Sequence, residues 1–357
     1  IAEITKKAGT AFEQYAFTTP LQRANFLETI ATNIEALGDA LLEQANKETN
    51  LPMPRLTGER GRTCFQLRMF ASMLKEGNYV EASIDTAIPT KTPPKPDIRK
   101  MMHPIGPVVV FGASNFPFAY STAGGDTACA LAAGCPVIVK AHPLHPGTSE
   151  LVATCIARAA KKTDMPEGVF SHLLDSGFEV GQQLVMHSGI KAVGFTGSFK
   201  GGMALAELAR KRNEPIPVFA EMGSVNPLII LPSALSLEMD DVTTKIAHAV
   251  TNDAGQFCTK PGIVFLEISQ KMDAVAHELI GKIKTTEPKT MLGAEILSAF
   301  NRGIGALSKL LESQAPLTEE TIPYGSATPA ACAAGHGRRY RPAATGPAIW
   351  QRSGTSA

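Results

Sequence analysis

The chain has 357 residues, 44% hydrophobic and 19% charged, which is room for two domains with substantial cores. Its formal net charge of +1 offers no electrostatic basis for binding nucleic acid or an anionic membrane surface. No apolar stretch is long enough to span a bilayer and no signal peptide is visible. The cysteines Cys64, Cys129, Cys135, Cys155, Cys258 and Cys332 form no C-x-x-C pair, so reduced thiols in a cytosolic protein are expected. The sequence begins at Ile1 rather than Met, and the true N-terminus is expected to be missing.

Apolar residues Phe26, Leu27, Ile30, Ile34, Leu37, Leu41 and Leu42 recur at helical spacing and predict one helix from Leu21 to Asn46, closed by Leu51-Pro52. A second helix is predicted from Leu56 to Lys75, followed by a proline-rich connector from Pro89 to Pro96. From Pro107 the pattern changes. Val108–Phe111, Val137–Lys140, Val169–Leu174 and Ala192–Thr196 read as short buried strands between alanine-rich helical segments. Continuous apolar strands alternating with helices imply an α/β fold with a parallel sheet covered on both faces. Phe219-Ala220-Glu221 ends the alternation. A second block begins at Leu228-Ile229-Ile230, with a helix near Asp241–Val250, a strand at Ile263–Glu267 and a helix near Met272–Lys284.

Cys258 stands in Gly255-Gln256-Phe257-Cys258-Thr259-Lys260-Pro261, on a loop before an apolar strand. Alone, such a cysteine is more often a buried structural thiol than a reactive one. Glu221-Met222-Gly223 ends one strand and Ser114-Asn115-Phe116-Pro117 follows another. A thiol, a carboxylate and an amide on glycine- or proline-marked turns can make a covalent catalytic site. Phe195-Thr196-Gly197-Ser198 opens the helix ending at Arg210, and its backbone N–H groups suit a phosphate. Ser198 reads equally as a plain helix N-cap, and the turn is not G-x-G-x-x-G. Lys140 ends a strand, where parallel sheets bind ligands. His142 and His145 sit on a proline-locked loop with no third ligand, so no metal is expected.

In that order the segments Ser114-Asn115-Phe116-Pro117, Lys140, Phe195-Thr196-Gly197-Ser198, Glu221-Met222-Gly223 and Gly255-Gln256-Phe257-Cys258 resemble the NAD(P)-dependent aldehyde dehydrogenases, from about Leu21 to Lys284. The runs Gly112–Ala119 and Lys140–Pro143 more closely resemble the bacterial α-ketoglutaric semialdehyde dehydrogenases. The resemblance implies N-terminal helices and a Rossmann-like cofactor domain over 1–222, then a smaller catalytic α/β domain over 223–323. It implies Cys258 as nucleophile, Glu221 as water-activating base and Asn115 as oxyanion donor. It places Lys140, Gly197, Ser198 and Ser114 at the coenzyme. Many family members carry a glutamate three residues after the lysine; here Pro143 stands there, so NADP is expected to be accepted and NAD possible. A homo-oligomer oxidising a small aldehyde is implied, α-ketoglutaric semialdehyde first and a medium-chain aliphatic aldehyde second.

Two departures stand out. The family's usual Gly-Gly is Gly223-Ser224 here, and the Glu-Glu-x-Phe-Gly-Pro segment is absent. Residues 324–357 lack Asp and Glu and show no periodicity, so they are expected to be a disordered or frame-shifted tail. The catalytic domain is then incomplete, and a catalytically inactive remnant is the rival expectation.

Overall fold

The computed structural model describes residues 1–237, 239–267 and 271–314. The expected tail over 324–357 lies outside the described residues.

Helix α1 (Ala2–Tyr15) precedes any predicted element. Helix α2 (Pro20–Ala36) starts at a reciprocal cap: Gln22 N–H donates to Thr19 Oγ1 at 3.2 Å, and Thr19 N–H donates to Gln22 Oε1 at 2.8 Å. The single helix expected over Leu21–Asn46 is two helices, because Gly38 takes a left-handed φ of 56° and restarts the chain as α3 (Gly38–Thr49). Helix α4 (Met53–Glu76) packs on α2, burying Phe26, Leu27, Ile30, Ile34, Leu56 and Leu67. The proline-rich connector forms an arm. Strands β1 (Ser83–Asp85) and β2 (Ile98–Lys100) pair antiparallel, with a bridge between Ile88 and Lys95.

The central sheet is parallel throughout. It is built from β3 (Val108–Phe111), α5 (Gly125–Ala133), β4 (Val137–Lys140), α6 (Pro146–Lys162), β5 (Phe170–Leu173), α7 (Glu179–Met186), β6 (Ala192–Gly197), α8 (Phe199–Arg210) and β7 (Val218–Met222). The spatial order is β5-β4-β3-β6-β7. The chain therefore reverses direction beside β3, and the crevice at the carboxyl ends of β3 and β6 is the place where doubly wound sheets bind ligands. Val109, Ile138 and Val193 are fully buried, as the apolar runs require. This is the α/β parallel-sheet fold expected from the alternation, and the Rossmann-like arrangement that the resemblance implies.

The chain divides into two compact units. The first holds Ile1–Ser224, Gln256–Thr259 and Thr290–Asn301. The second includes Val225–Gly255 and Lys260–Lys289, with β8 (Asn226–Ile230), α9 (Pro232–Leu237), α10 (Met239–Thr251), β9 (Pro261–Leu266) and α11 (Lys271–Lys284). Strands β8 and β9 run parallel over a small core of Ile230, Ile246, Val250, Val275 and Ile283. Helix α12 (Ala294–Gln314), which periodicity had not predicted, is the last described element. No described helix is long and apolar enough to cross a membrane.

Candidate active site

The cysteine loop, although distant in sequence, belongs to the same unit as the sheet. The chain approaches it through three consecutive positive-φ residues, Asp253 (45°), Ala254 (58°) and Gly255 (72°). For alanine that region carries a steric penalty of roughly 1–2 kcal/mol, so the turn is held by its surroundings. Cys258 is exposed.

Asn115 lies on the loop after β3. Its Nδ2 donates to the carbonyl oxygen of Gln256 at 2.7 Å, joining the amide to the cysteine loop. The next residues on each side also meet: the Phe116 and Phe257 rings pack edge to face, 5.3 Å between centroids. Gln256 Oε1 in turn accepts from Leu292 N–H at 3.1 Å. Ser114 is half-buried beside Asn115.

Sequence reasoning missed the support beneath this loop. Arg55 and Glu59, one turn apart on α4, form a buried ion pair. Arg55 Nη2 donates to the carbonyl oxygen of Asn115 at 2.9 Å. Glu59 Oε1 accepts from the N–H groups of Phe118 at 2.8 Å and Ala119 at 2.9 Å. Burial pushes the Glu59 carboxyl up, opposed by Arg55 and by the two backbone donors. The only sequence signal was an opposite-charge pair at helical spacing, which is common on solvated faces.

Glu221 is exposed near the end of β7, in register with Thr196 of β6. Gly223 N–H donates to the Gly197 carbonyl at 3.3 Å, tying this strand end to the glycine turn. Asp126, in the first turn of α5, has its carboxyl pushed up by burial and then by the charge of Glu221.

Ser198 caps α8, its Oγ accepting from Gly201 N–H at 3.1 Å. The glycines of the turn have a packing reason. A Cβ on Gly197 would meet the Phe195 ring at 2.6 Å, and one on Gly202 would meet Met222 Sδ at 2.5 Å. The N–H groups of Phe199 and Lys200 precede any intrahelical acceptor, as at every helix start. At the end of β4, Lys140 is 9% exposed and its Nζ donates to the Asp175 carbonyl at 2.9 Å. Burial draws its ammonium pKa down, opposed by the Asp175 charge. One carboxylate oxygen of Asp175 is buried with no hydrogen-bond partner. A cation at the end of β4 and a helix N-terminus after β6, on either side of β3 at the carboxyl edge of the sheet, suit a nucleotide diphosphate.

His142 and His145 have protein partners. His145 Nε2–H donates to the Ala113 carbonyl at 2.7 Å, and His142 Nδ1 accepts from Leu144 N–H at 3.2 Å. Among the described residues no cluster of metal-ligating side chains occurs.

The pattern that matches this chain is that of the Aldehyde dehydrogenase family, over residues 1–300. The chain belongs to the aldehyde dehydrogenase family. It is 50% identical to α-ketoglutaric semialdehyde dehydrogenase 2 of Azospirillum brasilense over 304 residues, covering 85% of this chain and 58% of that protein. It is 47% identical to α-ketoglutaric semialdehyde dehydrogenase of Acinetobacter baylyi over 308 residues, covering 86% of this chain and 58% of that protein. The chain thus spans somewhat over half the length of the relatives it matches. A glyceraldehyde-3-phosphate dehydrogenase from Methanocaldococcus jannaschii, solved with NADP, shares the fold with a TM-score of 0.69 at 21% identity, over 88% of this chain and 66% of that one.

Proposed function

We propose that this aldehyde dehydrogenase chain carries the nucleophile, the base and the oxyanion donor for oxidation of α-ketoglutaric semialdehyde to the dicarboxylic acid. The observation that supports this most directly is the Asn115 amide held at 2.7 Å on Gln256, two residues before Cys258. The substrate follows the names of the two relatives at 50% and 47% identity.

In this reading the Cys258 thiolate adds to the aldehyde carbon, and the carbonyl oxygen becomes an oxyanion. The Asn115 amide and the Cys258 backbone N–H face that oxygen, each such donor being worth roughly 3 kcal/mol. Loss of the former aldehyde hydrogen with two electrons turns the thiohemiacetal into a thioester. A bound nicotinamide coenzyme supplies the oxidant for that change, with Lys140, Gly197, Ser198 and Ser114 as the residues that hold it. Glu221 then takes a proton from water, the water oxygen attacks the thioester, and the thiolate leaves as the acid is released. The exposure of Glu221 leaves it open to water.

NADP is the preferred coenzyme in this reading, because Pro143 puts no carboxylate where a 2′-phosphate would be repelled. The active protein is a homo-oligomer. The deciding experiment compares kcat/KM for α-ketoglutaric semialdehyde with that for hexanal. A preference for hexanal would overturn the substrate.

A further inference from the structure

We propose that Arg55 is a positioning residue for the reaction, acting through Asn115, with Glu59 as the anchor that holds it. The inference rests on the cysteine chemistry proposed above.

Both side chains of this pair reach the loop that carries the oxyanion amide. Glu59, its side chain 2% exposed, grips the backbone N–H groups of Phe118 and Ala119. Arg55, 15% exposed, grips the backbone carbonyl of Asn115 from the other end of the same short loop. The backbone from the Asn115 carbonyl to Ala119 is therefore fixed to one turn of α4.

Arg55 also reaches the nucleophile's side. Its guanidinium carbon lies 4.4 Å from the Phe116 ring centroid and 5.6 Å from that of Phe257. These rings belong to the residue after the amide and the residue before the thiol. One planar cation thus sets the spacing between two loops whose amide and carbonyl meet at 2.7 Å.

A buried ion pair is a poor way to add stability, since desolvation cancels most of its attraction. It is a good way to fix a position, because removing Arg55 takes the counter-charge from a buried carboxylate. Lysine would keep the charge opposite Glu59 but lacks the planar fork that reaches Asn115 and stacks on the rings.

The test measures the pre-steady-state burst of reduced coenzyme, steady-state KM and melting temperature in the complete enzyme. The proteins are wild type, Arg55→Lys, Arg55→Met, Asn115→Ala and Arg55→Lys combined with Asn115→Ala. Arg55→Lys is expected to melt near wild type, keep its KM and burst about 10- to 100-fold more slowly, the size of a misplacement near 1 Å. The double variant is expected to be no slower than Asn115→Ala alone, since Arg55 acts through that amide. If Arg55→Met fails to fold, Arg55→Lys decides. A wild-type burst rate in Arg55→Lys would overturn the inference, as would losses that multiply in the double variant. A wild type with no aldehyde-dependent burst would instead sink the cysteine chemistry, and this role with it.

Discussion

The side-chain amide of Asn115 donates to the backbone carbonyl of Gln256 at 2.7 Å, which fixes it beside the cysteine loop. An amide NH2 has two donors, so one hydrogen orients the group and the second can serve the reaction. Replacing Asn115 by alanine should slow thioester formation by about 10²- to 10³-fold, the usual loss for one oxyanion donor. The burst phase of coenzyme reduction is the measurement. A burst at the wild-type rate would remove Asn115 from the mechanism.

In the proposed chemistry, thioester formation and thioester hydrolysis fall to different residues. Glu221→Gln should retain a burst near one equivalent per site and lose steady-state turnover. Cys258→Ala should lose both. Normal turnover in Glu221→Gln would assign water activation elsewhere, and Asp126, whose carboxyl burial and the Glu221 charge push up, would be examined next.

The sheet was legible because its central strands β3 and β4 are buried, and runs such as Val108-Val109-Val110-Phe111 have no competing reading once helices alternate with them. The break at Gly38 was not, because apolar residues on both sides of it keep helical spacing while the φ of 56° is set by the turn. Cys258, Glu221 and Asn115, the proposed nucleophile, base and oxyanion donor, drew notice in the sequence through the glycines and prolines around them. Arg55 and Glu59 did not, since burial distinguishes a gripping ion pair from a solvated one, and burial is tertiary. The glycine turn at Gly197 was legible in place and not in cause: its missing side chains make room for Phe195 and Met222.

Coenzyme choice can be tested at Pro143, which is exposed three residues after Lys140. Pro143→Glu should lower kcat/KM for NADP at least about tenfold relative to NAD, through repulsion of the 2′-phosphate. Side-by-side kinetics with both coenzymes decide it. An unchanged ratio would place the ribose elsewhere.

Gly124 closes the loop that carries Asn115. A Cβ there would stand 2.4 Å from the carbonyl oxygen of Ala119, a backbone atom that no rotamer change can move. Gly124→Ala should therefore cost roughly 1–3 kcal/mol, read as a lowered melting temperature. It should also slow the burst, because Ala119 and Asn115 share the loop. A melting temperature equal to wild type would show that the loop yields without cost.

Acid should destabilise the fold through its histidines. Burial, then His145 and Lys140, bring the pKa of His142 down to about 3, and burial lowers those of His145 and His172. The hydrogen bond to the Ala113 carbonyl, and then Glu48, oppose the shift at His145, and Glu150 opposes that at His172. The unfolded chain protonates all three near pH 6.5 while the folded chain keeps His142 neutral. Stability is thus fully present above that pH and falls as pH drops toward the folded pKa, by up to about 1.4 kcal/mol per pH unit for each group. Denaturant midpoints from pH 7 to pH 5 test this, and His142→Gln should flatten the slope. A slope unaltered by that substitution would exclude His142 as a contributor.

The bond from Asn115 to Gln256 closes a separation of 141 residues. During synthesis the amide leaves the ribosome long before the thiol, and the whole parallel sheet must be laid down before the two can meet. Contacts that distant form late, since the entropy of closing the loop is lost before the contact gives anything back. On the proposed chemistry, Cys258 therefore emerges as an ordinary thiol and gains its oxyanion partner only when the first unit is finished. If Cys258 is the nucleophile, a chain stalled part-way through folding holds it with nowhere to put the charge it would create, and correct assembly acts as a safety catch on the thiol.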